Sequence, residues 1–432
     1  MSADPLVLAA GIRTPLARAG GAFAKEDAAH LGALVARELL ARSPWKPEDV
    51  DEVVAGCVGV PHDQANVARV VAVRAGLSAS VPARTVQRNC ASGMEAVDCA
   101  AMAIESGRAR LVLCVGVEVM SRYPLCFGDA AVAWFERLSR AKSPWAKLAS
   151  FAALRPSMLA PKVALLEGLT DPLSGLIMGR TAEILAREWS ITREEADAFA
   201  LRSHQRARAA RDSGRLAREI APVLPLGAPP GAGALAHDDS IRDGQTLEAL
   251  AKLTPWFEKP DGRVTVGNSC GITDGACALF ACRESFARAA GLAPLARLVG
   301  RAWSGCDPAR MGLGPVHASA RLLRASGRSL AEMDVVEINE AFAAQVLACE
   351  KAFDSATYAR EHWGGAPLGQ LDWSRTNPNG GAIALGHPVG ATGARLLLTA
   401  AHELQARGGG QALATLCIGG GQGGAFLLEN AA

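Results

Sequence analysis

Apolar residues recur along this chain in two rhythms. Short unbroken apolar runs bounded by glycine or proline read as buried strands. Longer stretches whose apolar positions return every three or four residues read as helices. VLAAG near residue 7 predicts a strand ending in a Gly/Pro turn, and residues 28–42 carry helical spacing. VDEVVAGCVGV (50–60) predicts a strand and loop, ANVARVVAVRAGL (65–77) a helix, and ARTVQRNC a strand leading to Cys90. The helix ASGMEAVDCAAMAIESG and the strand ARLVLCVGVEV follow. Strands alternating with helices imply an α/β chain with a largely parallel sheet covered by helices.

The last third repeats the theme. LARLVGRAWSG (295–305) predicts a strand, GPVHASARLLRASG a helix, and MDVVEINEAF a strand running into a helix. GHPVGATGARLLLTAAHELQARGG predicts a glycine-rich turn and a helix, and QALATLCIGGGQGGAFLLE two strands about a glycine turn. The stretches Cys90–Gly116 and Gly393–Gly419 each run from a helix start to a glycine after a strand, a weak internal repeat. Residues 124–255 differ: they are richer in charge and helical pattern, as in TREEADAFALRSHQRARAARDSG (192–214), and include the irregular loop LGAPPGAGALAHDD (226–239). The expected division is an N-terminal half (1–123 with 256–290), an inserted mainly helical domain (124–255) and a C-terminal half (291–432).

Composition narrows the classes. A chain of 432 residues exceeds one ordinary core, and half hydrophobic with a fifth charged is a globular balance. A net charge of +2 gives no sign of nucleic-acid binding. Eleven cysteines, an odd number with several inside apolar runs, read as reduced thiols rather than a disulfide framework. That predicts a reducing, cytoplasmic setting. MSADPLVLAAGIRTPLARAG lacks a basic segment before an apolar core, so no signal peptide is expected. No apolar run is long enough to span a membrane.

Three residues stand out chemically. Cys90 lies between a strand and a helix, where unpaired amide N–H groups and the helix dipole stabilise thiolate. His387 sits in a glycine-dense turn, and an imidazole can take a thiol's proton at neutral pH. Cys417 ends a strand at CIGGGQGG, whose N–H groups can point at an oxyanion. Taken alone, each also fits a structural role, as do Asn339 and Glu340 as helix caps. GNSCGITDGA (267–276) reads as a turn. No His/Cys spacing suits a metal, and no glycine run matches a dinucleotide fingerprint or P-loop.

The ordered set GIRTP, NCASGMEAV, MGRTAE (178–183), DAFALRSHQRA (197–207), GNSCGITDGA, NEAFA (339–343), NPNGGAIALGHPVGATGAR and CIGGGQG resembles the thiolase family along nearly the whole chain. The resemblance implies two similar βαβαβαββ halves in an α/β/α/β/α arrangement with an inserted loop domain. It implies an acyltransferase acting on 3-oxoacyl-CoA and coenzyme A as substrates, with no permanently bound cofactor. It implies Cys90 as the acyl-carrying nucleophile, His387 as its proton acceptor and Cys417 as the acid/base at the α-carbon. Asn339 would fix a water that completes one oxyanion hole with His387, and the N–H groups of Cys90 and Gly419 would form the other. Arg242 matches a family arginine beside the adenine of coenzyme A.

The chain also departs from the family pattern. Cys270 replaces a small serine beside the pantetheine arm, and Ile177 replaces a histidine before MGxTAE, so an unaltered short-chain pocket is not expected. Residues 124–156 and 343–365 resemble insertions of the β-subunit of the fatty-acid oxidation trifunctional complex, although that subunit typically carries a histidine where Asn339 stands. In 130–166, Arg137, Arg140, Lys142, Lys147, Arg155 and Lys162 are interleaved with aromatic and leucine side chains, and Pro144 should split the segment into two amphipathic helices. The expected partners are a second copy or a dimer of dimers, and a hydratase/dehydrogenase or an anionic membrane at 124–156. The competing readings are a decarboxylating ketoacyl synthase, which would need a second histidine where Asn339 stands, and a non-catalytic lipid-binding relative, which would lack one of the three key residues.

Overall fold

The computed structural model describes residues 4–431. Its strands are β1 (Leu6–Arg13), β2 (Ala17–Arg18), β3 (Glu52–Gly56), β4 (Ala83–Val86), β5 (Leu111–Val119), β6 (Leu125–Phe127), β7 (Pro161–Val163), β8 (Thr273–Arg283), β9 (Ala296–Gly305), β10 (Val335–Ile338), β11 (Gln411–Ile418) and β12 (Gln422–Glu429). The large sheet runs β10-β11-β12-β9-β1-β8-β5-β3-β4, with β2 beside β8. β1 meets β9 only at Val7↔Arg297 and Leu8↔Ala296, so the sheet is two half-sheets joined at a short seam. Each half has parallel strands outermost and antiparallel strands toward the seam: β3 runs parallel to β4 and β5, and β10 parallel to β11.

The sheet is therefore mixed rather than largely parallel. β11 turns directly into β12 as an antiparallel hairpin, and β8 enters antiparallel between β1 and β5. β8 also corrects the reading of GNSCGITDGA as a turn only. Its polar start, Thr273-Asp274-Gly275, hides a strand whose apolar run ACALFAC is buried on both faces and so shows no alternation.

Helices Ser92–Glu105 and Val389–Arg407 pack on each other between the half-sheets. Fifteen of the nineteen residues of Val389–Arg407 are buried, as a helix enclosed on all sides requires. Glycines set the approach of this pair. A Cβ on Gly93 would lie 2.8 Å from both Ala394 N and Gly390 O, and one on Gly393 would lie 2.5 Å from Met94 N. Ala28–Arg42 and Val67–Arg74 cover one outer face, and Gly314–Ser326 and Ala343–Phe353 the other. The result is a layered α/β/α/β/α fold.

The basic and aromatic segment forms two helices, Asp129–Arg140 and Pro144–Ala152, with Pro144 in the first turn of the second and Ser143 Oγ capping Ala146 N at 3.1 Å. Trp134 is buried between them and donates from Nε1 to Ser150 O at 2.7 Å. Loop 226–239 contains no helix or strand. Among the described residues, no helix is long and apolar enough to cross a membrane.

Candidate active site

Cys90 stands on a tight turn between β4 and helix Ser92–Glu105. Asn89 takes φ of +42°, a conformation asparagine tolerates better than most residues. Ser92 Oγ accepts from Arg88 N (2.9 Å) and donates to Asn89 O (2.7 Å), closing the turn. Asn89 Nδ2 donates to Gly419 O at 2.8 Å, which ties this turn to the glycine turn after β11. The nucleophile turn of one half thus leans on the glycine turn of the other.

Burial pushes the Cys90 thiol up, the backbone N–H groups of Gly419 and of Cys90 itself act in the opposite sense, and Glu118 adds to the rise. The N–H groups thus act in the sense expected from the strand–helix junction, but the helix starts two residues later, at Ser92, and desolvation outweighs them. Cys90 rests as a thiol and needs a base.

His387 follows Gly386, whose φ of +108° and contact with Thr273 leave no room for a side chain. Its Nδ1 lies 2.7 Å from Thr392 Oγ1, and that hydroxyl donates to Pro388 O at 3.0 Å. With its one proton spent on Pro388, Thr392 accepts from His387 Nδ1–H. This assigns the tautomer with a free lone pair on Nε2, which has no protein partner. Burial first, and then Arg395, lowers the imidazole to about 3, so it is neutral at ordinary pH and able to accept a proton.

Backbone bonds draw the other motifs in. Cys270 N donates to Ala341 O at 3.0 Å, and Gly271 O accepts from His387 N at 3.4 Å. Asn339 N donates to Thr415 O at 3.0 Å, which places Asn339 beside β11 near Cys417. Asn339 is fully buried, yet neither side-chain amide atom has a protein partner. Burial raises Cys417 well above the usual thiol range, and the neighbouring sulfurs of Cys90, Cys349 and Cys270 add to this. Burial, with Cys90 nearby, pushes Cys270 up to about 12. Three cysteines far apart in sequence thus share one electrostatic environment.

Arg242 is not part of this cluster. It is exposed, donates from its backbone N to His204 Nδ1 at 3.2 Å, and lines a separate cavity of about 60 Å³. Asn339 and Glu340 do not cap a helix either, since the next one begins at Ala343 with Phe342 before it. Glu340 instead accepts from Ser203 Oγ (2.6 Å), Asn377 Nδ2 (2.8 Å) and Ile383 N (3.3 Å), pinning NEAFA to the His387 segment.

Two supporting residues escaped the sequence reading. Glu118 is fully buried and accepts from Val58 N, Gly59 N, Tyr123 Oη and Gly390 N at 2.9–3.0 Å, bracing the floor of the site. Its signal was a lone carboxylate in the apolar strand LVLCVGVEV. Thr392, the partner of His387, left no such mark.

A cavity of about 410 Å³ opens at Cys90. Gly419, Met178, Met120, Leu165, Leu169 and Leu173 form part of its lining. Ile177 steadies that wall by pairing with Thr170 in an antiparallel bridge.

Comparison with known proteins agrees with this architecture. Residues 6–285 match the family described as Thiolase, N-terminal domain, and residues 292–430 match Thiolase, C-terminal domain. The chain is 43% identical over 421 residues to the 3-oxoadipyl-CoA/3-oxo-5,6-dehydrosuberyl-CoA thiolase of Escherichia coli K12, covering 97% of this chain and 98% of the relative. It is 42% identical over 430 residues to an acetyl-CoA acetyltransferase of Pseudomonas aeruginosa, covering 98% of each. The structure of human mitochondrial 3-ketoacyl-CoA thiolase in complex with CoA superposes with a TM-score of 0.85 at 38% identity, covering 99% of this chain and 98% of that one. A Bacillus anthracis acetyl-CoA acetyltransferase structure gives 0.87 at 37% identity, with 99% and 98% covered. The chain belongs to the thiolase family.

Proposed function

We propose that this protein transfers acyl groups between coenzyme A and 3-oxoacyl-CoA through a Cys90 thioester. In the cleavage direction, His387 Nε2 takes the Cys90 proton and the thiolate attacks the 3-oxo carbon. The bond between C2 and C3 breaks, and Cys417 protonates the departing acetyl-CoA enolate at its α-carbon. The thiol of a second coenzyme A then displaces the shortened acyl group from Cys90, regenerating the free thiol. Condensation is the same path reversed. The N–H groups of Cys90 and Gly419 hold the oxyanion formed on the acyl carbon. His387, with a water fixed by Asn339, holds the enolate oxygen. Each such donor contributes roughly 3–4 kcal/mol of barrier lowering.

The observation that carries this reading is the meeting of the Cys90 turn and the Gly419 turn at one cavity of about 410 Å³, tied by Asn89 Nδ2 donating to Gly419 O at 2.8 Å. The test is consumption of coenzyme A with acetoacetyl-CoA, together with mass analysis of the acylated protein. Wild type should turn over and carry acyl on Cys90, and Cys90→Ser should do neither. Turnover retained in Cys90→Ser would overturn the assignment. A ketoacyl synthase would instead require a decarboxylating substrate.

The apolar and basic surface of 124–156 supports a second reading, peripheral contact with an anionic membrane. Trp145, Leu148 and Phe151 are 80%, 59% and 55% exposed, and Arg137, Arg140, Lys142 and Lys147 are exposed beside them. Each such cation contributes about 1 kcal/mol near an anionic lipid surface. Wild type should co-sediment with anionic vesicles at low salt. Equal sedimentation after charge reversal of the four cations would refute it.

A further inference from the structure

The cavity at Cys90 has a charge as well as a shape. An acyl group bonded to the Cys90 sulfur must extend into it. Its walls are apolar at Leu165, Leu169, Leu173 and Met178. Among the described residues its lining contains no lysine, arginine or histidine, but it does contain the carboxylates of Glu167 and Asp171. Asp171 is committed to its own turn, accepting from Leu173 N at 3.2 Å and Ser174 N at 3.0 Å. Glu167 forms no ion pair or side-chain hydrogen bond among the described residues and is exposed on helix Ala164–Gly168 at the edge of the cavity, so its charge is hydrated but meets no cation. Arg88, which touches the lining residue Gln422, is itself held by Glu95 at 2.6 Å and stacked on Trp303 at 4.3 Å.

We infer that the acyl group this site accepts is a neutral chain, and that an acyl group ending in a carboxylate is rejected by the apolar, cation-free lining, with Glu167 reinforcing that selection. The inference rests on the acyl-transfer reading above and deepens it. An ionised carboxylate between leucine walls loses hydration without gaining a partner. The exposed Glu167 carboxylate adds to this through water, by about threefold for a like charge about 6 Å away at a dielectric of about 80. The chain would thus differ in substrate from its relative named for 3-oxoadipyl-CoA.

The test compares two six-carbon substrates that differ only at the far end, 3-oxohexanoyl-CoA with a methyl and 3-oxoadipyl-CoA with a carboxylate. Consumption of coenzyme A is followed for each, with acetoacetyl-CoA as a third substrate. Wild type should favour 3-oxohexanoyl-CoA in kcat/KM by at least ~10-fold, chiefly through the lost hydration of the carboxylate. Glu167→Arg, on an exposed helix, should narrow that ratio several-fold, up to ~10-fold at low salt, by supplying a cation, while still turning over 3-oxohexanoyl-CoA. Equal or better use of 3-oxoadipyl-CoA by wild type overturns the inference. An unchanged ratio in Glu167→Arg overturns the role of Glu167. If none of the three substrates consumes coenzyme A, the acyl-transfer reading itself fails.

Discussion

Thr392→Val tests the assignment of the His387 tautomer. Valine keeps the branched shape of threonine but removes the oxygen that accepts from His387 Nδ1 at 2.7 Å. Thr392 is 1% exposed and makes no contact with the cavity, so its effect must pass through the imidazole. A buried donor left without an acceptor costs about 1–3 kcal/mol. At about 1.4 kcal/mol per decade this is roughly a 5- to 150-fold loss. The variant can recover part of that cost by moving the proton to Nε2, which abolishes the free lone pair that Cys90 needs. The expected result is a fall in kcat of that size with KM within about twofold, because substrate contacts are untouched. Alkylation at Cys90, followed by peptide mapping because Cys126 is also exposed, should slow in parallel. Thr392→Ser, which retains the hydroxyl, should restore most of both. Wild-type kcat in Thr392→Val, or an equal loss in Thr392→Ser, would refute the positioning role.

Three further outcomes follow from the geometry. Cys417→Ala should block cleavage and condensation while leaving acylation of Cys90 largely intact, and parallel loss of trapped acyl-enzyme would show that the two steps are not divided. Gly393→Ala forces a Cβ to 2.5 Å from Met94 N between the two central helices, so thermal unfolding should move down by several degrees for a cost of about 1–3 kcal/mol or more; an unchanged Tm would mean the helices can part freely. Burial, reinforced by Arg395, Arg242 and His362 respectively, holds His387 at about 3 and His204 and His317 at about 4, below the usual 6.5. The unfolded chain therefore takes up these protons as pH falls from about 6.5 toward 4 while the folded chain does not, so the stability they contribute is intact above that window and lost within it. His402, also lowered by burial, acts in the same sense, whereas Glu337, raised by burial to about 8, and Glu118, Glu340, Glu350 and Asp274, likewise raised by burial, act in the opposite sense. The histidine contribution is therefore read by difference: His317→Gln should lessen the fall in Tm between pH 7.5 and pH 5 relative to wild type, and an unchanged difference would contradict its part in it.

Much of the secondary structure was legible from local pattern. Residues 28–42 were read as a helix and form one over the same span, because its apolar stripe and its cap Asp27 are local signals. The turn at Cys90, the glycines about His387 and the break at Pro144 were visible because each is a backbone requirement written into residue type. The ordered motifs carried the family, and with it the candidate nucleophile, base and second thiol.

Strand pairing and electrostatics were not legible in this way. β8 belongs between β1 and β5 through contacts more than a hundred residues away, and a strand buried on both faces has no alternation to announce it. The meeting of Cys90, Cys270 and Cys417 depends on the packing of the two halves and on backbone bonds between distant segments, such as Cys270 N donating to Ala341 O. The place of Arg242, exposed and lining a cavity separate from that of Cys90, was likewise set by how its loop folds back on His204. The need of Cys90 for a base has the same origin: helix-end N–H groups can be read from a strand–helix junction, whereas the desolvation opposing them exists only once the other half of the fold closes over the thiol.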